Sequence, residues 1–278
     1  SSLGARTRWQ NSGDNAFPSG NGVDGKVTRL WIADVHANLA AFEAVLADAG
    51  TADEIVYLGD IVGFGPRPAE CTDLLIRLDA HAVPGNHDAS MLAIRKRGER
   101  QASPHDWDEW TFNQLSRPHF DFLESLPAAL EVDFYGVPAT VTHHPAGAPY
   151  LHPDMPDAVY SEFLERAPRP TLICGHSHRE INRMVDGRRY LCIPSIGQPR
   201  NGDPRAGYAI ERDGAIEFRY VAYDVERTVR ETAAIGLDEQ FLERWLKFLR
   251  TGHDDEWSRD YVPGKPVNKW LDAAIARF

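Results

Sequence analysis

The sequence predicts a layered α/β fold, and three observations carry that prediction. Short apolar runs alternate with stretches of helical spacing, in the order strand, helix, strand, helix, strand that builds a parallel, layered sheet. The apolar runs stop abruptly at Gly and polar residues, as buried strands do. The 278 residues include 42% hydrophobic side chains, 7 Trp and 12 Phe beside 26% charged residues, which supplies a sizeable core and excludes wholesale disorder.

Residues 1–26, rich in Ser, Gly, Asn and Asp with aromatics only at Trp9 and Phe17, show neither period and are expected to form a mobile tail. Val27 to Asp34 reads as the first buried strand. Leu39, Phe42, Val45 and Leu46 then recur at spacings of three and four before Gly50, the pattern of a helix with a glycine stop. Ile55 to Leu58, Ala69 to Leu78 and Ala80 to Val83 repeat the series as strand, helix and strand. From about Asp106 to Leu126 a polar helical stretch carries Trp107, Trp110, Phe112, Leu115 and Phe122, and is expected to be an inserted cap or wall.

Leu130 to Tyr135 and Pro138 to Thr142 flank Gly136 as a hairpin, and Thr171 to Cys174 runs into Gly175. Arg189 to Ile193, Gly207 to Glu211 and Ile216 to Val221 are further strands, with Asp213-Gly214 as a hairpin signal. Helical spacing resumes from Asp224 to Arg250, with a start signal at Asp238. The expected organisation is a tail at 1–26, a main domain at 27–223 with a helical insert at about 104–127, and a C-terminal helical extension at 224–278.

No run of about 18 apolar residues occurs, and the N-terminus lacks the apolar core of a secretory signal, so neither a membrane partner nor export is expected. Cys71, Cys174 and Cys192 are odd in number and lack CxxC spacing. That suggests neither a disulfide framework nor a thiolate zinc site, and a cytoplasmic location is expected. A net charge of -11, from 30 Lys and Arg against 41 Asp and Glu, argues against an extended nucleic-acid groove. It leaves room for a small phosphorylated substrate, because bound metal can reverse the local field.

Chemistry gathers where the strands end. Asp34-Val35-His36-Ala37-Asn38 follows the first predicted strand, Gly59-Asp60 the second, and Gly85-Asn86-His87-Asp88 the third; Thr142-His143-His144-Pro145 and Gly175-His176-Ser177-His178 follow two later ones. Singly these are weak signals: Asp-x-His is common by chance, and Gly-Asp more often makes a turn or a helix cap. Together they matter, because the carboxyl ends of strands in an open α/β sheet face one crevice. Carboxylates, imidazoles and an amide oxygen suit first-row divalent ions such as Mn, Fe, Zn or Ni better than Mg or Ca, and seven candidate ligands exceed the coordination of one ion.

The five blocks stand in the order D-x-H, G-D, G-N-H-[DE], a His after a strand, and G-H-x-H. In this the sequence resembles the calcineurin-like metallophosphoesterases, and within them the small bacterial and archaeal phosphodiesterase branch. Asp34-Val35-His36-Ala37-Asn38-Leu39, the run Gly59 to Pro66, and the run Gly197 to Arg205 carry the likeness to that branch, which spans about Val27 to Arg250. It implies an α/β/α sandwich with central mixed β-sheets. It places Asp34, His36 and His178 on one metal and Asn86, His143 and His176 on another, with Asp60 bridging two divalent transition ions, manganese first. His87 is implied as general acid or as a charge partner of the phosphate, with Asp88 orienting its ring.

Five further residues are substrate-binding candidates. Arg67 and Arg200, together with Arg205, lie in Gly/Pro-rich loops near the motifs. Asn38 either caps the following helix or bonds a phosphate oxygen. His144 replaces the Gly that the branch commonly has after His143. A second departure is Cys192-Ile193-Pro194-Ser195, where the branch has Asn-Pro-Gly-Ser.

The resemblance implies hydrolysis of a phosphodiester or phosphomonoester by a metal-bridging hydroxide. A non-catalytic scaffold of the same fold is the alternative from another class, against which His87 and the full ligand set stand. A protein phosphatase would carry an Arg soon after Gly-Asp, where this chain has Val62-Gly63-Phe64, and dinucleoside polyphosphate hydrolysis stays open. The substrate, the metal and the oligomeric state are not specified by these residues.

Overall fold

The computed structural model describes residues 27–98, 107–236 and 239–253, with 262, 263 and 265. The predicted tail, residues 99–106 with the start of the predicted insert, the start signal at Asp238 and most of the chain beyond 253 lie outside the described residues.

Apolar side chains point to both faces of the first strands, and that requires cover on both sides. β1 (Arg29–Ile32), β2 (Glu54–Tyr57) and β3 (His81–Ala82) pair in parallel, joined by α1 (Leu39–Ala49) and α2 (Pro68–Leu78). α3 (Asn86–Arg97), α4 (Trp107–Gln114) and α5 (Arg117–Ser125) follow. The hairpin β4 (Leu130–Phe134) and β5 (Val137–Val141) opens a second sheet, continued after α6 (Asp157–Leu164) by β6 (Thr171–Cys174), β7 (Ile181–Val185) and β8 (Arg188–Cys192). β9 (Ala206–Arg212) and β10 (Ala215–Val221) return to the first sheet, and α7 (Val225–Ala233) and α8 (Glu239–Thr251) close the described chain.

The sheet orders are β10-β9-β1-β2-β3 and β4-β5-β6-β8-β7. Each is mixed: β9 runs antiparallel to β1, and β7 antiparallel to β8. The two sheets face each other across Trp31, Val56, Leu58, Val132, Phe134, Val141, Ile173 and Leu191. Leu30, Ile32, Tyr57 and Tyr208, on the other face of the first sheet, pack under α1, α2 and α5. Leu172, Cys174, Tyr190 and Cys192 pack under α6. The layers therefore run helices, sheet, sheet, helix. No helix among the described residues is long and apolar enough to cross a membrane.

Three elements escape the periodicity. α3 buries only Asp88 and Met91, so it presents no apolar stripe. β7 buries its two ends and exposes Asn182 and Met184, and α6 is a short helix of 8 residues. The helix predicted over 106–126 is two helices, because Ser116 stands at the N-terminus of α5 and Pro118 in its first turn, where a proline is tolerated but a continuing helix is not.

Candidate metal centre

The carboxyl ends of β1, β2, β5 and β6 and the start of α3 meet at the edge shared by the two sheets. The loop after β1 is zipped to the loop after β2 by backbone bonds from Asp34 N to Gly59 O (3.0 Å), His36 N to Asp60 O (2.9 Å) and Ala37 N to Ile61 O (2.8 Å). Gly85 is needed here, since a Cβ on it would lie 2.0 Å from Asp60 Oδ1 and 2.3 Å from Asp60 N. Asp34, His36, Asp60, His176 and His178 have φ of 51°, 47°, 62°, 67° and 57°, in the left-handed region that side chains other than Gly rarely adopt. Strain of this kind, repeated along one group of chemically active residues, is typical of functional sites.

Two buried groups result. Asp34, His36, Asp60 and His178 offer ligand atoms within 4.8 Å of one another, and so do Asp60, His143 and His176. Within the first, His36 Nε2 lies 3.1 Å from His178 Nε2, His178 Nε2 lies 3.4 Å from Asp34 Oδ1, and His36 Nε2 lies 3.9 Å from Asp60 Oδ2. Within the second, His143 Nε2 lies 3.3 Å from the same Asp60 oxygen and 3.1 Å from His176 Nδ1. Asn86 Oδ1 joins it at 3.1 Å from His143 Nε2 and 3.0 Å from His176 Nδ1. All seven sequence-derived ligand candidates thus converge, with Asp60 common to both groups.

The donor set fits a metal pair. Neighbouring donors around a tetrahedral ion with ~2.1 Å bonds stand about 3.4 Å apart, and the separations here scatter around that value. The His143 Nδ1–H donates to Leu58 O (2.7 Å) and the His178 Nδ1–H to Gln198 O (2.6 Å), which leaves the Nε2 lone pairs facing the cluster. His36 Nδ1 is buried without a partner. Burial holds the His36 imidazole well below its usual value, and His176 and His178 are likewise held low by burial. Neutral imidazoles are the ligating form.

The carboxylates respond to the same surroundings. Burial pushes Asp34 up to about 6. Burial also pushes Asp60 up, but the adjacent His143, by its charge and its hydrogen bond, outweighs it and holds the carboxyl well below the ordinary range. Burial lowers His143, and the Asp60 and Asp34 carboxylates overcome this to bring it up to about 10.

His87 is half-buried at the first turn of α3, its backbone N–H on Asp60 Oδ1 (2.8 Å) and its ring edge-on to His36 at 5.1 Å. The expected role of Asp88 needs correction. Its carboxylate accepts from Asp60 N (2.8 Å), Gly85 N (2.8 Å) and Ile61 N (3.1 Å), so it fastens the loop after β2 to α3, and the His87 ring is not among these donors.

The substrate-binding candidates separate. Asn38 is fully buried; its Oδ1 accepts from Ala41 N and Thr228 Oγ1, and its Nδ2 donates to Gly197 O and Tyr223 Oη. It caps α1 and ties α1 to α7, which corrects the phosphate reading. Arg67 is corrected too: its guanidinium is engaged by Glu231 and Glu70. Arg205 forks onto Asp203. His144 packs on the His176 ring at 4.3 Å and meets Ala148 O through Nε2, with burial pushing it down to about 4. Arg200 is buried beside the site, donating to Tyr150 Oη (2.5 Å) and Gln198 Oε1 (2.6 Å).

Residues that sequence reasoning missed act through backbone atoms. Leu58 O and Gln198 O orient ligands, and no side-chain pattern announces a carbonyl. The departure at Cys192 to Ser195 leaves the loop closed: Ser195 Oγ donates to Asp34 O (2.8 Å) and accepts from Gln198 N (2.8 Å).

Comparison with known proteins places this geometry. The family model of the calcineurin-like phosphoesterase superfamily domain matches residues 29–212, a span that includes every ligand candidate. The chain is 32% identical over 236 residues to the uncharacterized protein MJ0912 of Methanocaldococcus jannaschii, covering 77% of this chain and 95% of that one. It is similar to the crystal structure of a metallophosphoesterase from Sphaerobacter thermophilus, with 32% identity, a TM-score of 0.67, and 82% and 100% of the two chains covered. The fold is also that of protein PH1004 from Pyrococcus horikoshii OT3, at 19% identity and a TM-score of 0.68 over 82% and 99% of the chains. This chain belongs to the calcineurin-like phosphoesterase superfamily.

Proposed function

We propose that the protein hydrolyses a small phosphodiester or phosphomonoester at a pair of divalent transition ions, manganese first, with iron, zinc or nickel as alternatives. One observation carries the reading: two buried ligand groups share the single carboxylate of Asp60, the arrangement that sets two ions side by side. Asp34, His36 and His178 would hold one ion, Asn86, His143 and His176 the other. When bound, the pair supplies an acidified water for attack and neutralises charge on the phosphoryl oxygens.

The chain's own residues do the rest. Leu58 O and Gln198 O keep the ligating nitrogens of His143 and His178 turned inward. The His87 imidazole gives its proton to the leaving oxygen, a contribution of roughly 10²- to 10⁴-fold. The bond from its backbone N–H to Asp60 Oδ1 fixes the main chain of His87 relative to the shared carboxylate. Arg200, buried with Tyr150 and Gln198, adds positive charge beside the cluster in a protein of net charge -11.

The test is a panel of phosphomonoesters, linear diesters, cyclic nucleotides and dinucleoside polyphosphates, assayed after chelation and re-addition of single ions. Turnover restored by at least one transition ion is expected. Turnover of nothing under any ion would overturn the reading in favour of a scaffold.

A further inference from the structure

His87 is the one residue of the proposed mechanism whose ring is held by neither a hydrogen bond to a carbonyl nor a metal site. What it touches is aromatic and backbone. The Phe64 ring meets it edge-on, with centroids 4.7 Å apart and planes at 61°, and Phe64 also meets His36 edge-on at 5.5 Å. A Cβ at Gly63 would fall 2.6 Å from His87 Nδ1. The imidazole is thus boxed by Gly63, Phe64 and His36, with Nδ1 against the backbone and Nε2 at the far end of the ring.

Phe64 is itself held from behind. It lies in the loop after β2 with φ of 64°, a conformation that a bulky side chain keeps only where its surroundings impose it. The Trp245 ring of α8 stacks on Phe64 at 5.1 Å and 26°, and Phe248 stacks on Trp245 at 5.3 Å and 15°. Trp107 of α4 approaches Trp245 edge-on at 6.2 Å and Phe64 at 6.4 Å. Trp107, Trp245 and Phe248 are buried, in a small core of their own with Val229 of α7. A continuous aromatic file therefore runs from α8 to the proposed acid.

We infer that Phe64, backed by Trp245, is the positioning residue that holds the His87 ring in place, which makes α8 a working part of the catalytic site. The inference rests on the reading of His87 as general acid. An acid that wanders loses most of its effect, since proton transfer needs the donor within hydrogen-bond reach of the leaving oxygen. Its loss should be felt only where the leaving group needs a proton.

That gives the experiment. p-Nitrophenyl and phenyl esters, as phosphomonoesters and as methyl phosphodiesters, are compared for wild type, His87→Ala, Phe64→Leu, Phe64→Tyr and Trp245→Leu, with metal content and thermal unfolding measured for each. p-Nitrophenolate leaves unaided, whereas phenolate benefits from protonation. His87→Ala should lose about 100-fold in kcat on the phenyl ester and little on the p-nitrophenyl ester. Phe64→Leu and Trp245→Leu should show the same selective loss at about tenfold, with normal metal content, and Phe64→Tyr should restore it. The double variant Phe64→Leu with His87→Ala should be no slower than His87→Ala alone.

Equal losses on both leaving groups, or loss of metal, would overturn the inference and assign Phe64 to His36 or to the fold. A second measurement needs no turnover. In the metal-free protein the His87 ring protons should show nuclear Overhauser contacts to Phe64, and Trp245→Leu should abolish them; contacts unchanged in that variant would overturn the role of α8. A wild-type protein inert on every ester under every ion would overturn the phosphoesterase reading, leaving the positioning of His87 to be decided by the nuclear Overhauser measurement.

Discussion

Replacing Asn38 by Ala removes a side chain whose amide makes four bonds out of reach of solvent. The cap to Ala41 N is 3.3 Å long, and the bond from Thr228 Oγ1 is 2.8 Å. The two donated bonds, to Gly197 O and Tyr223 Oη, are 3.2 and 3.1 Å. Loss of an N-cap costs about 1 kcal/mol. Leaving a buried carbonyl such as Gly197 O without its donor costs about 1–3 kcal/mol. Tyr223 and Thr228 can rotate toward other partners, so their share is small. The sum is about 2–4 kcal/mol, or a melting temperature lower by about 5–10 °C for a chain of this size.

Urea and thermal unfolding of the metal-free protein measure that loss, and steady-state kinetics separate it from a substrate effect. The expected result is a destabilised variant whose KM is unchanged. Asn38→Ala within about 0.5 kcal/mol of wild type, with KM raised tenfold or more, would refute the reasoning and return Asn38 to the phosphate. Thr228→Ala should recover part of the same loss, and the two substitutions together should cost less than their sum, because they share one bond.

Three other outcomes are expected. Asp60→Asn should abolish retention of both ions while Asp34→Asn keeps one, as read by elemental analysis after desalting; two ions on Asp60→Asn would contradict its shared position. Gly85→Ala should be insoluble or metal-free, because the new methyl falls within 2.3 Å of Asp60 atoms, and a soluble, metal-replete variant would show that the loop yields easily. Burial holds the His81 imidazole below its ordinary 6.5, so the unfolded chain takes up that proton more readily than the folded one. The stability from this site is complete above pH 6.5 and falls as the pH drops through it, so His81→Gln should flatten the acid limb of a stability profile, and an unchanged limb would argue against it.

The ligand positions were legible because each follows a strand whose burial on both faces leaves a near-continuous apolar signal. Trp31 and Ile32 announce Asp34, and Leu172, Ile173 and Cys174 announce His176, without knowledge of any contact. The second sheet was legible strand by strand, but its pairing was not: β6 sits between β5 and β8, and no local pattern encodes that neighbourhood. α3 was silent because its inward residues are Asp88 and Met91. Asp88 illustrates the limit. Its position beside His87 suggests a carboxylate–imidazole pair, whereas the folded chain spends it on backbone N–H groups that only become neighbours when β2 and α3 meet. Arg67 looked available for an anion because Glu231, its partner, lies 164 positions later.

Asp34, His36, Asp60 and Asn86 hang from the first sheet, while His143, His176 and His178 hang from the second. Neither half supplies the whole donor set, so a cation held by residues of both would complete its coordination only once the halves have closed. A pair of ions held in this way would work as a rivet: prising the halves apart would mean surrendering both. Amide exchange in β1 and β6 should then slow in concert on loading, and slowing in one strand alone would show that the rivet does not join them.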